Sequence, residues 1–275
     1  MVRAFTSCWA GALALCVALP SFADDTTPNA FDSEAAIEYS QSAIGREVGN
    51  HGFFDRDNDA VSLAEFRGKP LVVNLVYTSC VHTCPVIVQT LHRAVEVAQD
   101  ALGAESFSVV TIGFDSDDDT PSRMRAYAKG QGVDLPGWRF LSADQETIEP
   151  LTVDLGFIYF PSPRGFDHLA QTTVLDAEGR VFRQIYGSNF EPPALVEPLK
   201  ALALGDTEGL ATFSGLIDRV RLFCTFYDPS RDRYSFDYSV VIGIAIGGLS
   251  LSLIGVFLVR SWLGAGRRPA GPPVT

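Results

Sequence analysis

The sequence predicts an α/β domain built on a mixed sheet flanked by helices, with a C-terminal transmembrane helix. Within residues 51–205, short apolar segments of strand length alternate with longer segments of helical period, a pattern typical of α/β folds. Thr120-Pro121 is a helix-start signal at one such junction. Residues 239–259 carry no charge and would measure roughly 31 Å as a helix, enough to cross a bilayer core of about 30 Å.

Each element of the domain is predicted from its apolar pattern and from the turn residues at its ends. Residues 24–50 are polar and mixed, and they form a lead-in segment with a short helix at 33–42. The compact domain is predicted to begin near His51. Its elements, in chain order, are a turn at 55–59, a short element at 62–67, a strand at 71–76, a helix at 86–101, a strand at 107–114, a helix at 121–130, a strand at 138–141, a helix at 144–155, a loop at 160–168, a hairpin of 172–176 with 180–185, and a helix at 192–203.

Two cysteines, Cys80 and Cys84, follow the buried strand at 71–76, and Pro85 suits the first turn of a helix. A helix N-terminus favours thiolate over thiol, so this pair suits disulfide exchange or binding of a soft metal. A reactive pair at the carboxyl end of a central strand is a thioredoxin-like arrangement. Three residues separate the thiols instead of the usual two, which favours chelation without excluding redox chemistry. A structural disulfide is the simpler alternative.

The candidate third ligand is His168, in the predicted loop at 160–168. Two thiolates and one imidazole suit copper, whereas structural zinc would require four protein ligands. A loop histidine is often only solvated, and His82, inside the cysteine motif, is a rival ligand. Asp115 ends the neighbouring strand, where it is either a supporting hydrogen-bond acceptor near the metal or a solvated cap. Cys224 is either a buried inert thiol or an auxiliary ligand.

The segments outside the domain predict export and anchoring. Residues 1–23 have a positive start at Arg3, an apolar centre and a small-residue cleavage site, and so resemble a signal peptide. A juxtamembrane extension at 206–238 precedes the span at 239–259. The tail at 260–275 carries three arginines, and positive charge stays cytoplasmic. The main domain is therefore expected outside the cytoplasm.

The charge of the chain argues against a nucleic-acid-binding protein, and its cysteine content argues against a disulfide scaffold. The formal charge is −12, and a strongly acidic domain lacks the Lys and Arg clusters that nucleic-acid binding requires. Of five cysteines, two lie within the signal peptide. An exported domain with three remaining thiols is not a disulfide scaffold.

Taken together, these motifs resemble the Sco/SenC family of copper chaperones for respiratory oxidase assembly, membrane-anchored proteins of thioredoxin-like fold. The resemblance covers about residues 52–203. It rests on Gly68-Lys69-Pro70, Tyr77-x-x-Cys80-x-x-x-Cys84-Pro85, Phe114-Asp115 through Asp119-Thr120-Pro121, Trp138-Arg139-Phe140-Leu141 and Asp167-His168. The chain departs from the family in two respects: family members often carry an acidic residue where His82 stands, and many are anchored by an N-terminal span.

The resemblance implies that Cys80, Cys84 and His168 bind one copper ion per chain, with Asp115 in a supporting role. It further implies a bacterial inner-membrane protein with its main domain in the periplasm. This protein would receive copper from a donor protein and deliver it to the copper A site of a cytochrome c oxidase subunit. The alternative hypothesis is a thiol-disulfide oxidoreductase, with Cys80 and Cys84 as a redox-active disulfide, that reduces the oxidase's copper-ligand cysteines. The first role is that of a metal carrier and the second that of an enzyme.

Overall fold

The structure is a computed structural model that describes residues 31–205, 225–228, 233–236 and 238–265. The predicted signal peptide and Cys224 lie outside the described residues. The elements are α1 (Ser33–Ser42), β1 (Gly52–Asp55), β2 (Ala60–Ser62), a 3-10 turn (Leu63–Phe66), β3 (Leu71–Val76), α2 (Thr83–Leu102), β4 (Ser108–Gly113), α3 (Pro121–Gln131), β5 (Trp138–Ser142), α4 (Gln145–Leu155), β6 (Tyr159–Ser162), β7 (Gly165–His168), β8 (Gln171–Leu175), β9 (Val181–Tyr186), α5 (Pro193–Gly205), β10 (Thr225–Asp228), β11 (Arg233–Phe236) and α6 (Tyr238–Ala265).

A seven-stranded sheet in the order β2-β1-β5-β4-β3-β8-β9 forms the centre of the domain. Strands β3, β4 and β5 are parallel, while β8 runs antiparallel to β3. Every residue of β3 and β4 is buried, because parallel strands covered on both faces need continuous apolar sequence. The predicted mixed α/β fold is confirmed, and β3 is a central strand.

Helix α2 packs its apolar face into the core. Val88, Leu91, Val95 and Ala98, spaced at helical period, are fully buried. The helix begins at Thr83, three residues earlier than the predicted start at Val86. Its first turn therefore contains the second cysteine of the motif.

The segment before residue 51 contributes to the same core. Asp32 caps α1 by accepting from the backbone amides of Glu34 and Ala35, and Ala43 and Val48 are fully buried in the core cluster. Ala43 and Val48 thus belong to the core of the domain, which the sequence predicts to start near residue 51. The apolar residues in this stretch are too few and too scattered to signal their burial.

The predicted loop at 160–168 is instead a β-hairpin, so the loop prediction was wrong. β6 and β7 pair antiparallel outside the main sheet, with Tyr159 opposite His168. A two-stranded ribbon tolerates proline because its outer edges need no ladder partner. The turn uses Gly165 at φ 114°, and a Cβ there would lie 2.9 Å from the Tyr77 hydroxyl. Only glycine satisfies both requirements.

In the part of the chain that the structure describes, a hairpin and a helix follow the sheet domain. The β10–β11 hairpin packs Tyr234 into the core, where the Tyr234 hydroxyl donates to Glu197 Oε1 of α5 at 2.7 Å. Helix α6 contains a stretch, Ile242–Trp262, that is long and apolar enough to cross a membrane, with a mean hydropathy of 2.4. This stretch begins three residues later than the predicted span at 239–259.

Truncating the core face of α2 is expected to destabilise the domain strongly. Leu91→Ala should lower the free energy of unfolding by about 2–5 kcal/mol, because it removes buried methyl groups and leaves a cavity. The exposed Glu96→Ala on the same helix should stay within about 0.5 kcal/mol of the parent protein. Urea unfolding followed by near-UV circular dichroism measures both, and equal midpoints for the two variants would contradict the burial of this face.

Candidate metal centre

The two cysteines lie where β3 ends and α2 begins. The backbone amide of Cys80 donates to the Tyr77 carbonyl at 3.1 Å, closing a turn immediately after the strand. The backbone amide of Cys84 donates to the Cys80 sulfur at 3.4 Å. Both cysteines are free thiols. The turn and the first turn of the helix thus bring the two side chains together, as the sequence predicts.

The two thiols differ in exposure and in acidity. Burial alone would raise the pKa of the half-buried Cys80, but backbone hydrogen bonds from Cys84 and His82 outweigh it and hold that pKa below its usual value. Cys84 is fully buried. Its pKa is raised, first by burial and then by the charges of Cys80 and Asp119, against the lowering effect of a backbone hydrogen bond. Cys80 is therefore the more accessible and the more acidic thiol of the pair.

His168 ends β7 and is packed among aromatic rings. Its ring centroid lies 5.5 Å from Phe114, 5.5 Å from Phe157 and 5.9 Å from Tyr77. Nδ1 lies 3.0 Å from the Leu169 carbonyl, which can only accept, so Nδ1 carries the proton and Nε2 is the nitrogen left to bind a metal. Burial lowers the pKa of His168. The imidazole is thus held in the neutral form that metals require.

Tyr77 connects the histidine hairpin to the cysteines. Its hydroxyl donates to the Cys80 side chain and accepts from the backbone amide of Phe166 in β7. Burial, followed by the interaction with Cys80, raises the pKa of Tyr77 to about 12, so it remains a donor. Cys80 and His168 therefore share one aromatic neighbour. Within the described residues, no three His, Cys, Asp or Glu side chains are already assembled as a metal site.

The other predicted candidates lie in different surroundings. His82 is exposed and makes no capping bond to α2. The backbone amide of Asp115 donates to Asp119 Oδ2 at 3.0 Å, so its main chain takes part in the network around the thiols. Sequence reasoning missed Asp119 itself, which is 1% exposed.

A mixed α/β fold with a free dithiol at the carboxyl end of a central parallel strand defines a thioredoxin-like thiol domain. The family model for SCO1/SenC matches residues 40–204. Because this match covers more than half of the chain, the protein belongs to the SCO1/SenC family. No curated protein sequence matches the chain.

Several solved structures share the fold. A protein of Aquifex aeolicus VF5 is 27% identical, with a TM-score of 0.52 over 57% of this chain and 92% of that one. BsSco, described as having a disulfide switch and as a member of the Sco family of cytochrome c oxidase assembly proteins, is 20% identical, with a TM-score of 0.51 over 59% and 96%. Yeast Sco1 with copper bound is 15% identical, with a TM-score of 0.51 over 61% and 94%.

The asymmetry of the thiols predicts an order of chemical modification. In the reduced protein at neutral pH, iodoacetamide should alkylate Cys80 at least about tenfold faster than Cys84, since the thiolate is the nucleophile and Cys84 is both buried and less acidic. Peptide mass spectrometry after timed quenching separates the two sites. In the Cys80→Ser variant, Cys84 should remain slow, and comparable rates at both positions would contradict the described burial.

Proposed function

We propose that this protein is a membrane-anchored copper chaperone that delivers one copper ion per chain to the copper A site of cytochrome c oxidase during assembly. Cys80 and Cys84 bind the ion as thiolates, and His168 Nε2 is the third ligand. The observation that carries the proposal is that Tyr77 interacts with Cys80 through its hydroxyl and with His168 through its ring, beside a free dithiol.

The chemistry of the three donors favours copper. Thiolates are soft ligands that select Cu(I), and imidazole binds copper in either of its common oxidation states. The neutral state of His168 and the lowered pKa of Cys80 reduce the number of protons that metal binding must displace. The proposal requires copper to draw the imidazole and the two sulfurs together from their positions around Tyr77.

Ligand exchange accounts for delivery. Cys80 is partly exposed while Cys84 is buried, so an acceptor ligand reaches the ion from the Cys80 side. His168 lies on a hairpin that is separate from the main sheet, so it can leave the ion without breaking the hydrogen bonds of that sheet. An acceptor with more ligands than this site then retains the ion.

Two of the similar solved structures support copper as the bound metal and oxidase assembly as the process that the protein serves. Yeast Sco1 shares the fold and has been solved with copper bound, and BsSco is described as a cytochrome c oxidase assembly protein. We extend both properties to this chain. Its partners are then a copper donor protein and the oxidase subunit that carries the copper A site.

In this proposal, copper delivery takes place at a membrane. We infer that α6 is a single-pass anchor in a bacterial inner membrane. The arginines of the tail, Arg260, Arg267 and Arg268, favour a cytoplasmic C-terminus, and this orientation places the thiol domain in the periplasm. A chaperone held at the same membrane as its target meets the oxidase subunit by diffusion in the plane of the bilayer.

Copper binding tests the ligand set. Detergent-purified full-length protein should bind about one Cu(I), and Cys80→Ser or His168→Ala should weaken binding by at least about tenfold, because each removes a direct ligand. His82→Ala is the matched control, since this exposed histidine lies inside the cysteine motif, and it should bind as the parent does. Competition with a chromogenic Cu(I) chelator measures the affinities. Parental affinity in both ligand variants would defeat the proposal.

A second function, thiol-disulfide exchange, is favoured by the asymmetry of the cysteines. The Cys80 thiolate would attack the disulfide of an oxidase copper-ligand pair and form a mixed disulfide. Cys84 would then displace the second partner thiolate, so that the partner leaves as a dithiol and Cys80–Cys84 becomes the disulfide. Another thiol reductant must restore the pair. This role requires both cysteines but not His168.

His168→Ala separates the two functions in cells. If copper delivery dominates, a strain expressing His168→Ala should lose most copper A assembly, as the Cys80→Ser strain does, because both lack a ligand. If reduction dominates, His168→Ala should restore assembly fully while Cys80→Ser does not. The copper A absorbance of isolated membranes, normalised to the amount of oxidase subunit, measures the outcome.

A further inference from the structure

We propose that Asp119 is a positioning residue for the thiol loop, residues 77–84: its buried carboxylate holds Thr78 and thereby sets the geometry of the turn that presents Cys80. This inference deepens the proposed function and rests on it for the role of copper. Asp119 contacts neither cysteine by a hydrogen bond within the described residues, and it acts through Thr78.

Three hydrogen bonds fix the carboxylate. Oδ1 accepts from the backbone amide of Thr78 at 2.8 Å and from the Thr78 hydroxyl at 2.6 Å. Oδ2 accepts from the backbone amide of Asp115 at 3.0 Å. All three partners donate, so both oxygens of the carboxylate are used as acceptors. A buried carboxylate in such a network is costly to disturb.

The bonds join the ends of the two central strands. Thr78 follows β3, and Asp115 follows β4. Val76 and Gly113 face each other in the parallel pairing of these strands. Beyond this pair, the Phe114 amide donates to the Val76 carbonyl at 2.9 Å. Asp119 extends the connection past the point where the sheet stops. The turn from Tyr77 to Cys80 therefore starts from a fixed residue instead of a free strand end.

The Asp119 side chain is closely packed against the backbone of β4. Asp119 is 1% exposed and packs over Gly113, where a Cβ would lie 2.4 Å from Asp119 Cβ and 2.9 Å from Oδ2. Gly113 has no positive φ, so its backbone does not demand glycine. The approach of Asp119 explains the absence of a side chain at position 113.

Two kinds of substitution separate the position of the carboxylate from its charge. Asp119→Asn keeps the size but replaces one acceptor oxygen with an NH2 group that faces a donor. Gly113→Ala leaves the charge in place but pushes the carboxylate away from Thr78. Asp117→Asn is the matched control, because Asp117 is an exposed acid of the same acidic turn and the substitution removes the same charge.

The experiment uses full-length protein and two readouts. The first is Cu(I) affinity together with the sulfur-to-Cu(II) charge-transfer spectrum. The second is the pH profile of Cys80 alkylation in copper-free protein. Asp119→Asn and Gly113→Ala should each weaken copper binding by about 10–100-fold, the range expected when a group that orients ligands is lost. Both should also shift the spectrum and the alkylation profile, whereas Asp117→Asn should change none of these.

The two readouts keep the inference distinct from the proposed function. If the parent protein binds no copper, the chaperone proposal fails, and the alkylation profile still decides whether Asp119 positions Cys80. Parental spectra and profiles in folded Asp119→Asn would overturn the inference. If Asp119→Asn does not fold, two substitutions at Thr78 test the inference instead. Thr78→Val loses the hydroxyl donor and should shift the pH profile of Cys80 alkylation. Thr78→Ser keeps a hydroxyl donor and should show the profile of the parent protein. Identical profiles in the two Thr78 variants would overturn the inference.

Discussion

The contact of Tyr77 with both Cys80 and the β6–β7 hairpin is the constraint on which the site depends. Tyr77 is buried at the end of β3, and its ring packs edge-on against Phe166 at 5.3 Å. A smaller side chain would leave the hairpin without support on this side. The Tyr77 ring is thus held by the sheet at one end and contacts the hairpin that carries His168 at the other.

The same region combines elements that belong to the core with a hairpin that lies outside the main sheet. The sheet and α2 hold Cys84 in the core, where close packing resists displacement. The hairpin pairs only with itself, so moving it breaks few backbone hydrogen bonds. In the copper carrier that we propose, retention and release of the ion would fall to these two different elements.

Long apolar segments with clear ends made the sheet and its helices predictable. The strand at 71–76 matches β3, and the cysteine motif at its end needed no knowledge of distant contacts. The β6–β7 hairpin was not predictable, because its Pro and Gly residues carry no strand signal, and its pairing depends on the contact of Gly165 with Tyr77. The role of Asp119 was not predicted for a related reason. Its burial depends on hydrogen-bond donors of Thr78, 41 residues away, which no local sequence pattern reveals.

The contact of Tyr234 with Glu197 has a consequence for the membrane-anchored protein that we propose. Only Ser235, Phe236 and Asp237 separate Tyr234 from the start of α6, so three residues of chain connect this core contact to the proposed membrane anchor. Under that proposal, so short a connection would keep the thiols at a nearly constant distance from the lipid surface. An acceptor whose copper ligands lie at a different distance from the bilayer would then be selected against by geometry, whatever its affinity for the ion.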